Sequence, residues 1–408
     1  MSYRLSQVKS IMDNCKWNLY AFSLTLFQKR KRNIWLFGAW MGEKFADNSR
    51  FLFQYISENG EKYGIKEAIW ASRNKELVHN LQKMGYHAVL IGTPESNKAH
   101  LEAGVHIICN SDGNNGSKGD IDTRLSLGAK KIQLWHGVGI KASGCLKNGR
   151  PKNPIKRFLH DQIITPLCTP GGWSHCLFLT TSAESERVIH EDNNIPYSHI
   201  FRGPYPRLCE CPKLLNDERD TIEQILTIKN KNGKVVLYLP TFRSSNAGYI
   251  TPYETECFFE FLKDNNIWWI EKKHSADVFS KQTGKFENVI SLDKAFDINV
   301  LYRYIDLLVT DYSSAASDAM FFEKPTLEYC PDYSSYQSSD RGFVAPFGAY
   351  HVSQPVTDSN KLQEEILNRM SSPDKDKILK IREFLFGMGP FDYETLMKNL
   401  LSKMEENK

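Results

Sequence analysis

The sequence predicts an α/β protein of two domains, each built on a parallel sheet with helices on both faces. Three observations lead there. The chain has 408 residues, more than one ordinary hydrophobic core supports. Short apolar, β-branched runs alternate with helical patterns at roughly 20- to 25-residue spacing, the rhythm of βαβ units. The alternation then restarts after the Gly203-Pro204 turn, so 33–205 and 206–408 read as two domains behind an N-terminal segment 1–32, with 204–213 as the linker.

The first domain opens with the strand 33–39 (NIWLFGA), followed by a helix over 49–58. Strands at 68–71 and 87–91 flank a helix at 75–84, and a short helix at 98–103 precedes the strand 105–109. No GxGxxG follows the first strand, which counts against a dinucleotide cofactor. Residues 111–119 (SDGNNGSKG) are a loop by composition. Residues 131–135 form a strand that runs into His136, and 176–180 is a strand followed by a helix at 184–190. In the second domain, strands are expected at 235–239, 267–270, 288–292, 305–309 and 325–329. Helices are expected at 254–263, 299–304, 361–369 and 375–386.

Composition narrows the class. A hydrophobic content of 41%, 25% charged residues and a net charge of +4 are those of an ordinary globular protein, with no case for a nucleic-acid partner. The nine cysteines show no zinc spacing and no disulfide framework, so reduced thiols are expected. Trp17 to Phe27 is apolar but too short to span a bilayer, and Lys29-Arg30-Lys31-Arg32 follows at once. An aromatic helix with a basic end suits an anionic membrane surface; a helix packed on the protein with its basic end in water fits equally. Residues 150–169 mix cations with Phe158, Leu159 and Ile163 and read either as a second membrane-facing element or as a long surface excursion covering the core.

The chemistry gathers around Thr310-Asp311-Tyr312-Ser313-Ser314, a hydroxyl-rich turn between the strand 305–309 and a helical pattern containing Asp318. Ser313 or Ser314 is a natural N-cap, and free N–H groups at such a turn stabilise a phosphate. A helix-capping turn is the plain alternative. Neighbouring strand ends deliver Arg243, then Lys273 with His274 and Ser275, and, beyond the serines, Glu328. Cations, a histidine and hydroxyls converging on one sheet edge suit a pyrophosphate, with Glu328 available to a ribose diol. In the first domain, His136 at a strand end is followed by Gly137, Gly139 and Lys141, facing the same cleft. An imidazole there suits a general base acting on a hydroxyl. No dense carboxylate cluster calls for a divalent metal, so metal-independent chemistry without a cofactor is expected.

LWHGVGIK at 134–141, YLPTFR at 238–243, KKH at 272–274 and TDYSSAASDAMFFEKP at 310–325 resemble the CDP-glycerol glycerophosphotransferase family of teichoic-acid and capsule synthesis. WLFGAWMGEKFADNSRFLFQYI at 35–56 is similar to that family's first strand and loop. The resemblance implies a GT-B fold, two Rossmann-like domains facing a cleft. It implies transfer of a polyol phosphate from CDP-glycerol or CDP-ribitol to a lipid-linked acceptor by a peripheral protein on the cytoplasmic face of the plasma membrane. It also implies His136 as base, His274 as the second essential histidine, and Arg243, Ser313 and Ser314 as donor-phosphate contacts, with Asp311 in the same motif. The chain departs from the family at Val138-Gly139, at Ser275 after the second histidine, and around 386–390. A GT-B glycosyltransferase using a nucleotide sugar is the alternative.

Overall fold

A computed structural model describes residues 12–13, 15–20, 22–24, 28–113, 118–139, 153–159, 176–241, 251–254, 257–272, 286–334 and 344–407. The first sheet has seven strands: β1 (Lys31–Phe37), β2 (Glu67–Ser72), β3 (Ala88–Leu90), β4 (Ala103–Ile108), β5 (Lys130–Gln133), β6 (Cys176–Thr180) and β7 (Ile200–Arg202). Their order is β3-β2-β1-β4-β5-β6-β7. The second sheet contains β8 (Lys234–Leu239), β9 (Ile267–Lys272), β10 (Val289–Leu292), β11 (Leu307–Thr310) and β12 (Thr326–Glu328), in the order β10-β9-β8-β11-β12. The strand pairs in both sheets are parallel.

Strands covered on both faces read as continuous apolar runs, and β4 and β11 are buried along their whole length. Each sheet reverses its strand order once, between β1 and β4 and between β8 and β11. Such switch points leave a crevice beyond the carboxyl ends of the strands. The ends of β8 and β11, the latter running into the Thr310–Ser314 turn, therefore lie at the crevice of the second sheet.

Most expected elements form within a few residues of their predicted bounds. The helix expected at 98–103 begins earlier, at Pro94–Glu102, because Thr93 Oγ1 caps it by accepting from the Ser96 N–H. The helix expected at 254–263 is reduced to Phe258–Asp264, since Cys257 takes a left-handed conformation at φ 55°. Where a helix was expected at 299–304, only a single 3-10 turn forms, Ile298–Val300. Two helices, Asn216–Asn230 and Tyr393–Glu406, were not read from the sequence.

Two features of the packing bear on the domain division. The expected linker is not an exposed connector: Tyr205, Arg207, Leu208 and Cys209 are buried, and the apolar ones join the first-domain core. The C-terminal helices do not all stay with the second domain. Leu396, Met397 and Leu400 of Tyr393–Glu406 pack with Leu177, Leu179 and Phe201 of the first sheet. Lys130 Nζ donates to the Met404 and Asn407 carbonyls, 2.7 Å each, closing that helix against β5. An apolar helix face goes to whichever sheet leaves a face open, and chain order does not determine which.

Candidate active site

His136 lies three residues beyond Gln133, the last residue of β5. Its strand end is held in an uncommon conformation, with Trp135 at φ 60°. Asn48 stabilises that turn by donating from Nδ2 to the Trp135 carbonyl at 2.8 Å, and the Trp135 N–H donates to Gln133 Oε1 at 3.0 Å. The imidazole packs beside Trp135 and Trp40. Its Nδ1 lies 3.1 Å from the Cys109 carbonyl. A carbonyl only accepts, so Nδ1 carries the proton and Nε2 keeps the free lone pair. Burial pushes the imidazole below its usual 6.5, opposed by nearby Asp47. At neutral pH this histidine is therefore an unprotonated base.

The opposite wall is the Thr310–Ser314 turn. Asp311, fully buried, accepts from Thr241 N–H at 2.9 Å and from the Thr241 hydroxyl at 2.5 Å. It also accepts from its neighbour's N–H at Tyr312. It thus braces the exit of β8 against the exit of β11. The expected serine cap takes a different form: Ser314 makes no side-chain cap, and the Ala315 N–H donates to Ser313 Oγ at 3.2 Å. Glu328 is level with Thr310 across the β11–β12 pair. Thr326 donates to its Oε1 at 2.6 Å, while buried Oε2 has no partner among the described residues.

His136, Ser313 and Ser314 line one cavity of about 350 Å³ between the two sheets. Gly137 sets how closely the walls meet. A Cβ there would stand 2.6 Å from Ser314 Oγ, with the backbone at φ +154°. Gly137→Ala is expected to lower stability by about 1–3 kcal/mol, the usual range for overpacking, and to widen the cleft. Denaturant unfolding of the two proteins measures this, and an unchanged midpoint would show that the close approach is not required.

Sequence reasoning missed the ionic groups that fix the walls together. Arg207, inside the expected linker, donates from one guanidinium nitrogen to Asp47 at 2.8 Å and from another to both Asp318 oxygens at 2.9 Å. Burial pushes the Asp318 carboxyl up to about 6 against the pull of Arg207. Beside this network, Arg50 forms a bidentate pair with Glu218, and the Asp47 N–H donates to Asp297 at 2.8 Å. The polar run at the start of helix Asp47–Asn59 is thus buried as the face joining the domains. Its only sequence signal was a hydrophilic stretch, which ordinarily marks a solvated helix start. The site residues Lys141, Arg243, Lys273, His274 and Ser275 lie outside the described residues. Among the described residues no group of three His, Cys, Asp or Glu is arranged to hold a metal ion.

Two Rossmann-like domains meeting across a cleft at their carboxyl strand edges make this a GT-B protein. The fold is shared with the wall teichoic acid polymerase TagF, at a TM-score of 0.68 and 17% identity, covering 99% of this chain and 98% of that one. The family model for CDP-Glycerol:Poly(glycerophosphate) glycerophosphotransferase matches residues 19–392, and the chain belongs to that family. It is 24% identical over 360 residues to the teichoic acid poly(glycerol phosphate) polymerase of Bacillus spizizenii, covering 78% of this chain and 79% of the relative. The polymerase of the same name in Bacillus subtilis is 25% identical over 365 residues, covering 84% of this chain and 45% of the relative.

Proposed function

We propose that the protein transfers glycerol phosphate from CDP-glycerol to a hydroxyl of a membrane-linked acceptor and releases CMP. The observation that carries this is the neutral His136, with Nε2 free, lining one cavity with Ser313 and Ser314 of the other domain. In this reading Nε2 takes the proton of the acceptor hydroxyl as its oxygen forms a bond to the polyol-bearing phosphorus. The bond from that phosphorus to the CMP oxygen breaks, and CMP leaves with the electron pair. Ser313 and Ser314 hold donor phosphate oxygens, joined by Arg243, Lys273, His274 and Ser275. Asp311 keeps the segment leading to Arg243 in register, and Glu328 Oε2 accepts from a ribose hydroxyl. Gly137 and Lys141 border the acceptor. Side chains rather than a resident metal neutralise the developing charge.

The acceptor's membrane location draws on two surfaces. Residues 15–20 are helical. Trp17 packs against Arg124, while Leu19, Tyr20 and Phe22 are exposed. On helix Pro154–Leu159 the side chains of Ile155, Phe158 and Leu159 are exposed as well. Among the described residues no helix is long and apolar enough to cross a membrane. Exposed apolar groups near exposed Lys29 and Arg32 support peripheral attachment at an anionic leaflet, whereas Arg30 is turned inward onto the His100 and Leu125 carbonyls and Lys31 pairs with Glu102.

The test is CMP release from CDP-glycerol and CDP-ribitol, with UDP- and GDP-sugars as controls, over a lipid-linked acceptor mixture with and without EDTA. Acceptor-dependent CMP from CDP-glycerol, unchanged by EDTA, is expected. CMP from CDP-ribitol alone would change the polyol, and turnover of a nucleotide sugar alone would overturn the phosphotransfer reading in favour of a glycosyltransferase.

A further inference from the structure

At the switch point of the first sheet, the carboxyl ends of β1 and β4 are tied together by one buried side chain that the proposed chemistry leaves unused. Asp120 is 0% exposed. Its Oδ1 accepts from the Met41 N–H at 2.9 Å and the Ser111 N–H at 3.1 Å. Its Oδ2 accepts from the Cys109 N–H at 2.9 Å and the Asn110 N–H at 2.7 Å. Gly38 lets this segment press onto the end of β1, since a Cβ there would overlap the Asp120 carbonyl oxygen. Burial pushes the carboxyl up to about 6 against the pull of those four bonds, so its charge is present at neutral pH.

A loop brace is the plain reading of such a cluster. One bond goes further. The Asn110 N–H and the Cys109 carbonyl belong to the same planar peptide group, and that carbonyl is the one 3.1 Å from His136 Nδ1. Carboxylate, peptide group and imidazole therefore stand in one chain of hydrogen bonds. Negative charge at the N–H end of a peptide moves electron density onto its oxygen, and bonds in such a chain strengthen one another by about 10–30% each. Other charges act on the two ends. Asp47 raises the imidazole through space and Arg207 opposes it. Around the carboxylate stand Arg73, which donates to the Met41 and Gly119 carbonyls, the neutral Cys109 thiol, and the exposed Lys118–Glu43 pair. Asp120 differs from all of these in acting through the group that holds the Nδ1 proton.

We propose that Asp120 is the positioning residue of the general base: through the Cys109–Asn110 peptide group it holds the proton on Nδ1 of His136 and stabilises the imidazolium formed when Nε2 takes the acceptor's proton. The proposal rests on the reading of His136 as base given above. Asp120 itself takes no proton in the step, and the peptide group stays intact. The proton gained at Nε2 leaves to solvent once the product has formed.

The experiment follows the ring nitrogens by NMR in full chain labelled with ¹⁵N-histidine and free of nucleotide, so it does not depend on turnover; loss of signals in His136→Gln assigns them. Asp120→Asn removes the charge. Asn110→Pro removes the linking N–H but leaves the carboxylate its other three donors. Each variant is expected to lower the His136 pKa by at least about half a unit and to weaken the preference for the Nδ1-protonated form. In the CMP assay, Asp120→Asn is expected to lower kcat about 10–100-fold, the range for partners that orient a histidine, with KM for CDP-glycerol unchanged and the acid limb moved to lower pH. An unchanged His136 pKa in either folded variant would overturn the link and leave Asp120 a loop brace. Should neither variant fold, wild type decides: its Nδ1 signal is expected to respond near pH 6, where Asp120 gains a proton, and no response there would overturn the link equally. Lowered pKa values alongside wild-type CMP release in His136→Ala would support the link and count against the base reading alone.

Discussion

Replacing His136 by alanine is expected to lower kcat for acceptor-dependent CMP release by about 10²–10⁴-fold, the range typical of a positioned general base, while donor affinity changes little. The Cys109 carbonyl fixes the proton on Nδ1, so only Nε2 can receive the acceptor's proton. His136→Asn keeps a polar side chain without a base and should fall as far as alanine. The pH profile gives a sharper check. Burial holds this imidazole below 6.5, so it loses its proton at a lower pH than a solvent-exposed histidine. The acid limb of kcat/KM in the free enzyme should therefore have its midpoint below 6.5, with no loss of base form at pH 7. A limb centred above 6.5, or an alanine variant with the wild-type rate, would exclude His136 as the base.

The second large effect is expected at a residue that touches no substrate in this reading. Arg207→Met leaves the Asp47 and Asp318 carboxylates buried without their cation, and removing one partner from a buried pair typically costs about 3–5 kcal/mol. The loss should depend on pH. Burial already raises the Asp318 carboxyl to about 6, well above its 3.8 in the unfolded chain, and without Arg207 it rises further. A raised carboxyl favours the folded state below the unfolded value and loses that contribution as pH passes upward through the folded value. The deficit relative to wild type should therefore be largest well above pH 6 and shrink as pH falls towards about 6, below which Asp318 is protonated in both proteins. Denaturant unfolding at several pH values measures it. A deficit that is constant with pH would mean that lost packing, rather than stranded charge, causes the instability. Because the network joins Asp47 to Asp318 across the cleft, activity should fall with stability even where the variant remains folded.

Much of this was legible from local signals. The apolar run before Thr310 and the hydroxyls after it identified a strand and a ligand-facing turn, and β11 with Ser313 and Ser314 on the cavity wall is what formed. His136 was readable because strand ends in parallel sheets face the crevice, and its two following glycines signalled a close approach. Gly137 against Ser314 shows that approach from the other side. The GT-B fold expected from the motif resemblance is the fold observed, and the family model matches residues 19–392, which contain those stretches. Arg207 was not legible, because a Gly-Pro-rich stretch reads as a connector whether it lies in water or in a core. Asp318 read only as an early-turn residue, although its partner lies 111 residues away along the chain.

The sequence by itself determined the α/β class, the order of the strands along the chain, and which strand ends carry a histidine, serines and carboxylates. These follow from periodicity and turn chemistry, which act over a few residues. Only the tertiary structure decided that His136 and Ser314 share one cavity, that helix Tyr393–Glu406 returns to the first sheet, and that Lys44 meets the loop carrying Lys294. Those outcomes depend on how two separately folded sheets dock. Docking is fixed by buried ion pairs and apolar faces whose partners lie more than a hundred residues apart, a distance over which local sequence patterns carry no information about pairing.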